Sequence, residues 1–256
     1  MSVEQDDTVK YKLNLDKSPV LGLNALVGSE VVLEWDGDIN CINCGTPLKK
    51  TYGQGFCYPC FRDSPQAAPC IMRPELCEAH LGKGRDVEWE EAHHNQPHAV
   101  YLAQTGDVKV GVTRTVQIPV RWIDQGAYRA LQIAEVPYRR LAGEIEVELK
   151  QFVSDRTDWR RMLTDARSDR DLPSMRDELL DFLPEKLAEF AKRDAAVHTF
   201  NYPVTEYPVK VKGVKLEDVK QIRGVLTGIR GQYLMFDAER VINLRKYSGY
   251  RVSLNY

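Results

Sequence analysis

The chain has 256 residues, 43% of them hydrophobic, and a net charge of −2 at pH 7, an ordinary globular composition with room for one large domain or two to three small ones. The acidic opening Met1-Ser-Val-Glu-Gln-Asp-Asp7 leads into no early apolar run, so neither a signal peptide nor a membrane span is read here, and a cytoplasmic protein with no membrane partner is expected. Near-neutral total charge is compatible with nucleic-acid binding only if basic residues gather on one face.

Over 1–40, Val31, Leu33 and Trp35 alternate with polar positions, and Gly28 and Asp36-Gly37 break the pattern. Short N-terminal strands and turns are expected. The zinc-binding region spans 41–98. Cys41-Ile-Asn-Cys44 and Cys57-Tyr-Pro-Cys60 are two Cys-x-x-Cys knuckles separated by twelve residues, the spacing of a zinc ribbon. Each knuckle offers two thiolates from one turn, and a hairpin through Lys49, Lys50 and Thr51 would bring the pairs together. Gly45 stands where a ligand turn needs positive φ. Two disulfides or buried free thiols are the alternative. Four thiolates close the coordination sphere, so this zinc is expected to be structural, and six cysteines suit a reducing compartment.

Farther along this region, Cys70, Cys77 and His80 fall close together, and His93, His94 and His98 follow. Any of the three later histidines could complete a second zinc site. The expected set is Cys70, Cys77, His80 and His98, against the plainer reading of buried cysteines and exposed histidines.

From Ala99 the pattern becomes strand, tight turn at Thr105-Gly106-Asp107, strand, helix from about Pro119, strand over Ala130 to Val136, and helix from Arg139 to about Val153. This β-β-α-β-α stretch is assigned to 99–163. A linker and helix over 164–195 follow, with Leu179, Leu180, Leu183, Leu187 and Phe190 at helical spacing and Pro184 interrupting the run. The last segment, 196–256, is strand-rich: Val209 and Val211 alternate with Lys210 and Lys212, and a small barrel or sheet is expected, paired with the N-terminal strands. The fold class is therefore α+β.

At Ala99-Val-Tyr101, Lys109-Val-Gly111, Arg121-Trp122 and Glu146, the central segment resembles the GIY-YIG endonuclease superfamily, over roughly Ala99 to Phe152. The whole chain also looks like an uncharacterised prokaryotic family that joins a zinc ribbon to such a module. The GIY-YIG resemblance implies Tyr101, Arg121 and Glu146 as catalytic residues. Glu146 would hold Mg²⁺ or Mn²⁺, Arg121 would pair with a phosphate, and Tyr101 would orient or deprotonate water. Two departures stand out: Val108 or Lys109 replaces the second motif's tyrosine, and the late asparagine has no counterpart. Lys109, Arg114, Arg121 and Arg140 are the expected nucleic-acid contacts, with Trp122, Tyr128, Tyr138 and Trp159 as stacking surfaces. The expected function is a zinc-containing protein acting on DNA or RNA, as a phosphodiester hydrolase; the alternatives are an inactive nucleic-acid-binding module and a protein–protein scaffold.

Overall fold

The computed structural model describes residues 1–13 and 20–256. Strands β1 (Ser2–Glu4), β2 (Lys10–Leu13) and β3 (Leu21–Gly22) make a small antiparallel sheet, and β4 (Glu30–Ile39) runs directly into the first cysteines. The cysteine-rich region holds α1 (Tyr58–Asp63), a succession of short 3₁₀ turns, and α2 (Val87–His94). Then come β5 (His98–Gln104), β6 (Val108–Arg114), α3 (Val120–Asp124), β7 (Arg129–Val136) and α4 (Arg139–Leu149). Helices α5 (Trp159–Leu163), α6 (Leu172–Asp181) and α7 (Glu185–Ala188) follow, the last two separated around Pro184. The C-terminal part contains β8 (His198–Thr199), β9 (Lys212–Gly213), α8 (Leu216–Val219), β10 (Gln221–Arg230), β11 (Tyr233–Phe236), β12 (Arg240–Asn243) and β13 (Tyr250–Asn255).

The central sheet has the order β6-β5-β7-β8, with β5 antiparallel to both β6 and β7, so that β7 adds beside β5 and not beside β6. Every residue of β5 is buried, and period-2 alternation divides its side chains between two cores. Val100 and Leu102 face Ala142, Ile145 and Leu149 of α4. Tyr101 and Ala103 face Trp122 and Ile123 of α3 and the neighbouring sheet. Burial on both faces is why Ala99 to Ala103 reads as a continuous apolar run.

The two ends of the chain share a six-stranded sheet of order β13-β4-β10-β11-β12-β9. Strand β4 sits between C-terminal strands, with Val31 opposite Gly224 and Leu33 opposite Leu254. The expected pairing of N- and C-terminal strands is therefore present. Of the barrel or sheet that was expected, the structure has the sheet: the edges β13 and β9 do not meet, and no sheet among the described residues closes. Strand β9 has only two residues and pairs in parallel with β12, too short an edge to continue the sheet. The alternation at Val209 and Val211 does not make a strand either, and Val209 is 97% exposed. No helix among the described residues is long and apolar enough to cross a membrane.

Arg230 joins the two large sheets. It is fully buried, donates from Nε to Gly126 O (3.0 Å) and from Nη1 to Asp165 Oδ1 (2.7 Å), and lies 5.2 Å from the Tyr202 ring centroid.

Candidate metal centres and a basic cleft

The first knuckle opens where β4 ends, and the second forms the start of α1, with Cys57 at the N-cap and its sulfur accepting from Cys60 N (3.5 Å). Gly45 takes φ +72°, as a tight ligand turn requires. Cross-strand bridges Asn40–Pro47 and Tyr52–Phe56 bring the two turns face to face. The sulfurs of Cys41, Cys44, Cys57 and Cys60 lie within 4.8 Å of one another, unlinked by disulfides. Cys44 and Cys57 Sγ are 3.8 Å apart, the edge length of a tetrahedron with Zn–S bonds of about 2.3 Å. Cys57 N donates to Cys41 Sγ (3.2 Å) and Asn43 Nδ2 to Cys60 Sγ (3.3 Å), donors that suit thiolates. The residues fit the metal: this cluster could hold a structural zinc ion.

A second group forms beyond it, with a correction to the expected ligands. Cys70 and Cys77 come together with Glu90 and His94, all four buried and their ligand atoms within 4.8 Å. His80 instead stacks on Tyr138, ring centroids 4.4 Å apart. His98 is built into β5, where its Nδ1 lies 2.7 Å from Gln96 O and burial pushes its pKa down to about 4. Helix α2 explains the difference. Asp86 caps it by accepting from Trp89 N (3.0 Å), and residues four apart share a helix face, so Glu90 and His94 point together. The Glu-x-x-x-His spacing was the available sequence signal, and Glu90 was missed.

Between these clusters and the central sheet lies a cleft of 880 Å³. Tyr101, Lys109, Arg114, Arg121 and Glu146 all line it, and Arg140 does not. Arg140 belongs to the outer face of α4, paired with Glu144 at 3.0 Å. Among the described residues, eight arginines and lysines converge on the cleft against three carboxylates, so a chain that is nearly neutral overall concentrates positive charge here.

Tyr101 and Gly111 lie opposite each other across β5 and β6. A Cβ on Gly111 would fall 2.6 Å from Tyr101 Oη, so the glycine makes room for the ring. The Oη is buried without a hydrogen-bond partner among the described residues, and burial raises the phenol's pKa, with the Arg121 guanidinium opposing. The Tyr101 hydroxyl therefore stays protonated. Lys109 is buried beneath the cleft, donates to Asp155 O (2.8 Å), and burial lowers its pKa to about 8. Glu146 is 7% exposed; burial raises its pKa and the charges of Lys150 and Lys109 partly reverse this. Lys150 Nζ stands 3.5 Å from Glu146 and 3.1 Å from Asp155.

The expected stacking surfaces are engaged elsewhere. Trp122 and Tyr128 are core residues, Tyr138 stacks on His80, and Trp159 is covered by Tyr233 on a parallel ring at 5.8 Å.

Among known proteins, the profile of a family described as "Protein of unknown function (DUF2797)" matches residues 28–252. No curated protein and no solved structure matches the chain.

Proposed function

The chain belongs to the DUF2797 family, and we propose that it acts on DNA or RNA, holding the phosphate backbone in its basic cleft and carrying zinc in its cysteine knuckles. One observation carries this reading: eight cationic side chains against three carboxylates around an 880 Å³ cleft, in a chain whose net charge is −2. Gathering like charges costs self-repulsion in the absence of an anionic ligand, and a polyphosphate backbone relieves it by releasing counterions.

The finer reading is phosphodiester hydrolysis of the GIY-YIG kind. Glu146 offers one carboxylate, enough for Mg²⁺ or Mn²⁺ that keeps its waters and takes phosphate oxygens as further ligands. Such an ion would neutralise charge at phosphorus. Arg121 would pair with a non-bridging oxygen, and protonated Tyr101, its hydroxyl unpartnered, would orient a water by donating or accepting one hydrogen bond. Lys109 and Arg114 would hold the flanking phosphates.

A second reading, an inactive binder, is favoured by Lys150. Its ammonium group already stands between Glu146 and Asp155, where a divalent ion would compete with it, and the second motif's tyrosine is absent.

The test uses labelled single-stranded, duplex and branched DNA and RNA with Mg²⁺ or Mn²⁺, comparing wild type with zinc-replete Glu146→Ala and Arg121→Ala proteins. Binding should weaken steeply with salt, and Arg121→Ala should lower the salt slope by about one. Cleavage by wild type and not by Glu146→Ala supports hydrolysis; salt-dependent binding without new ends supports the binder. No binding to any of these at low salt would discard nucleic acid in favour of a protein partner.

A further inference from the structure

The region between the first cysteine cluster and the central sheet has almost no apolar core. Its buried hydrophobic cluster consists of Ala68, Cys70, Cys77 and Ala79, with Ile71 packed alongside. The backbone there is a chain of 3₁₀ turns, at Pro65–Ala67, Pro69–Ile71, Pro74–Leu76 and Ala79–Leu81. Isolated turns of this length carry little cohesion of their own. Something other than apolar burial must hold the segment in one conformation.

We infer that Cys70, Cys77, Glu90 and His94 bind a second zinc ion, and that this ion fixes the wall of the cleft against α4. The donor set is two sulfurs, one imidazole nitrogen and one carboxylate oxygen, four ligands of the kinds zinc takes, closing a tetrahedron. Their separations fit a shared ion better than mutual hydrogen bonds. His94 Nδ1 lies 3.6 Å from Glu90 Oε2 and 3.9 Å from Cys70 Sγ, both near the edges of about 3.3–3.8 Å that zinc bond lengths imply.

Two charge observations point the same way. Glu90 is 2% exposed, and among the described residues the one hydrogen bond its carboxylate accepts is from Arg85 N (2.9 Å); a buried carboxylate needs more compensation than one amide supplies. Gly84 leaves the space for it, since a Cβ there would lie 2.4 Å from the Glu90 carboxylate carbon. Arg139 is the complementary case. Among the described residues its guanidinium donates to carbonyls alone, to Cys70 O from Nε (3.1 Å) and Nη2 (3.0 Å) and to Ile71 O (3.0 Å). A zinc ion with two thiolates and one carboxylate carries a net charge of −1, and this arginine, beside it, balances that charge.

The link to the cleft is through α4. Gly143 packs so tightly on the turn at 74–75 that a Cβ would fall 2.2 Å from Glu75 N. The helix that receives this segment also carries Arg139 and Glu146. The metal assignment does not depend on what the cleft binds; the effect on the cleft does rest on the function proposed above.

Metal content of purified, reduced wild type, read by native mass spectrometry and elemental analysis, should be two zinc ions per chain. Cys77→Ser and His94→Ala should each retain one, and His80→Ala and His98→Ala should each retain two. If Cys77→Ser fails to fold, cobalt substitution of the Cys44→Ser/Cys60→Ser protein provides the second reading, with tetrahedral cobalt bands expected from the remaining site. One zinc in folded wild type, or two in folded Cys77→Ser, would overturn the assignment. Loss of one zinc with unchanged nucleic-acid binding would overturn only the coupling to the cleft.

Discussion

His98 illustrates how one residue changes meaning between chain and fold. By spacing it is a ligand for a second metal; in the structure it is a fully buried member of β5, its Nδ1 directed at Gln96 O and its Nε2 without a partner among the described residues. Burial disfavours the imidazolium and holds the pKa near 4. Between that value and the unfolded value of about 6.5, the unfolded chain binds the proton that the folded one refuses, so stability is full above pH 6.5 and is lost as pH falls toward 4. From pH 7 to pH 5 this residue should remove about 2 kcal/mol. Urea unfolding at both pH values, in wild type and His98→Gln, isolates the effect, because zinc release is common to both proteins. Equal pH dependence in the two would contradict the assignment.

At the scale of elements, α4 organises the site. Ala142, Ile145 and Leu149 face the central sheet, at i, i+3 and i+7 as an amphipathic helix requires. Gly143 receives the turn at 74–75, and Arg139 and Glu146 face the cleft. In an exposed helix, Gly to Ala stabilises by roughly 1 kcal/mol. Here the sign should reverse. Gly143→Ala places a methyl against the backbone of Pro74 and Glu75, and overpacking of this kind costs about 1–3 kcal/mol. Thermal unfolding should show a lower midpoint, and limited proteolysis should cut first within 65–81. A stabilised Gly143→Ala protein would mean that the two elements do not pack as described.

For the whole molecule, a buried ion pair ties the six-stranded sheet to the segment after α5. Arg230, fully buried at the end of β10, meets Asp165 from the loop after α5 and Gly126 from the turn after α3. Removing one partner leaves the other charge buried and uncompensated, at a cost of about 3–5 kcal/mol. Asp165→Asn keeps a side chain that tolerates the positive φ at this position (52°) and keeps one acceptor oxygen for Arg230, while it removes the charge and turns the other oxygen, which accepts from Arg167, into a donor. Because Asp165 keeps 23% side-chain exposure, the loss should lie near about 3 kcal/mol, read from denaturant midpoints. A change below about 0.5 kcal/mol would show that the aromatic ring of Tyr202 and the Gly126 carbonyl are enough to hold the cation.

What could be read from the chain alone was whatever its chemistry writes locally. Two Cys-x-x-Cys knuckles, a glycine after the first, the strand pattern from Ala99 to Val136 and the break at Pro184 all express constraints within a few residues of each other. Tyr101, Lys109, Arg121 and Glu146 could be singled out, but that they line one cleft together with Arg139, Lys150 and Arg156 could not. The tertiary structure alone decided that β4 lies between β10 and β13, that the end strands stay open, and that Glu90 and His94 stand where His80 and His98 were expected. The reason is physical: ligand spacing and side-chain period are set by bond lengths and backbone geometry over a turn or a strand, whereas the partner across a sheet or a cluster is chosen by burial and charge balance among residues far apart in sequence.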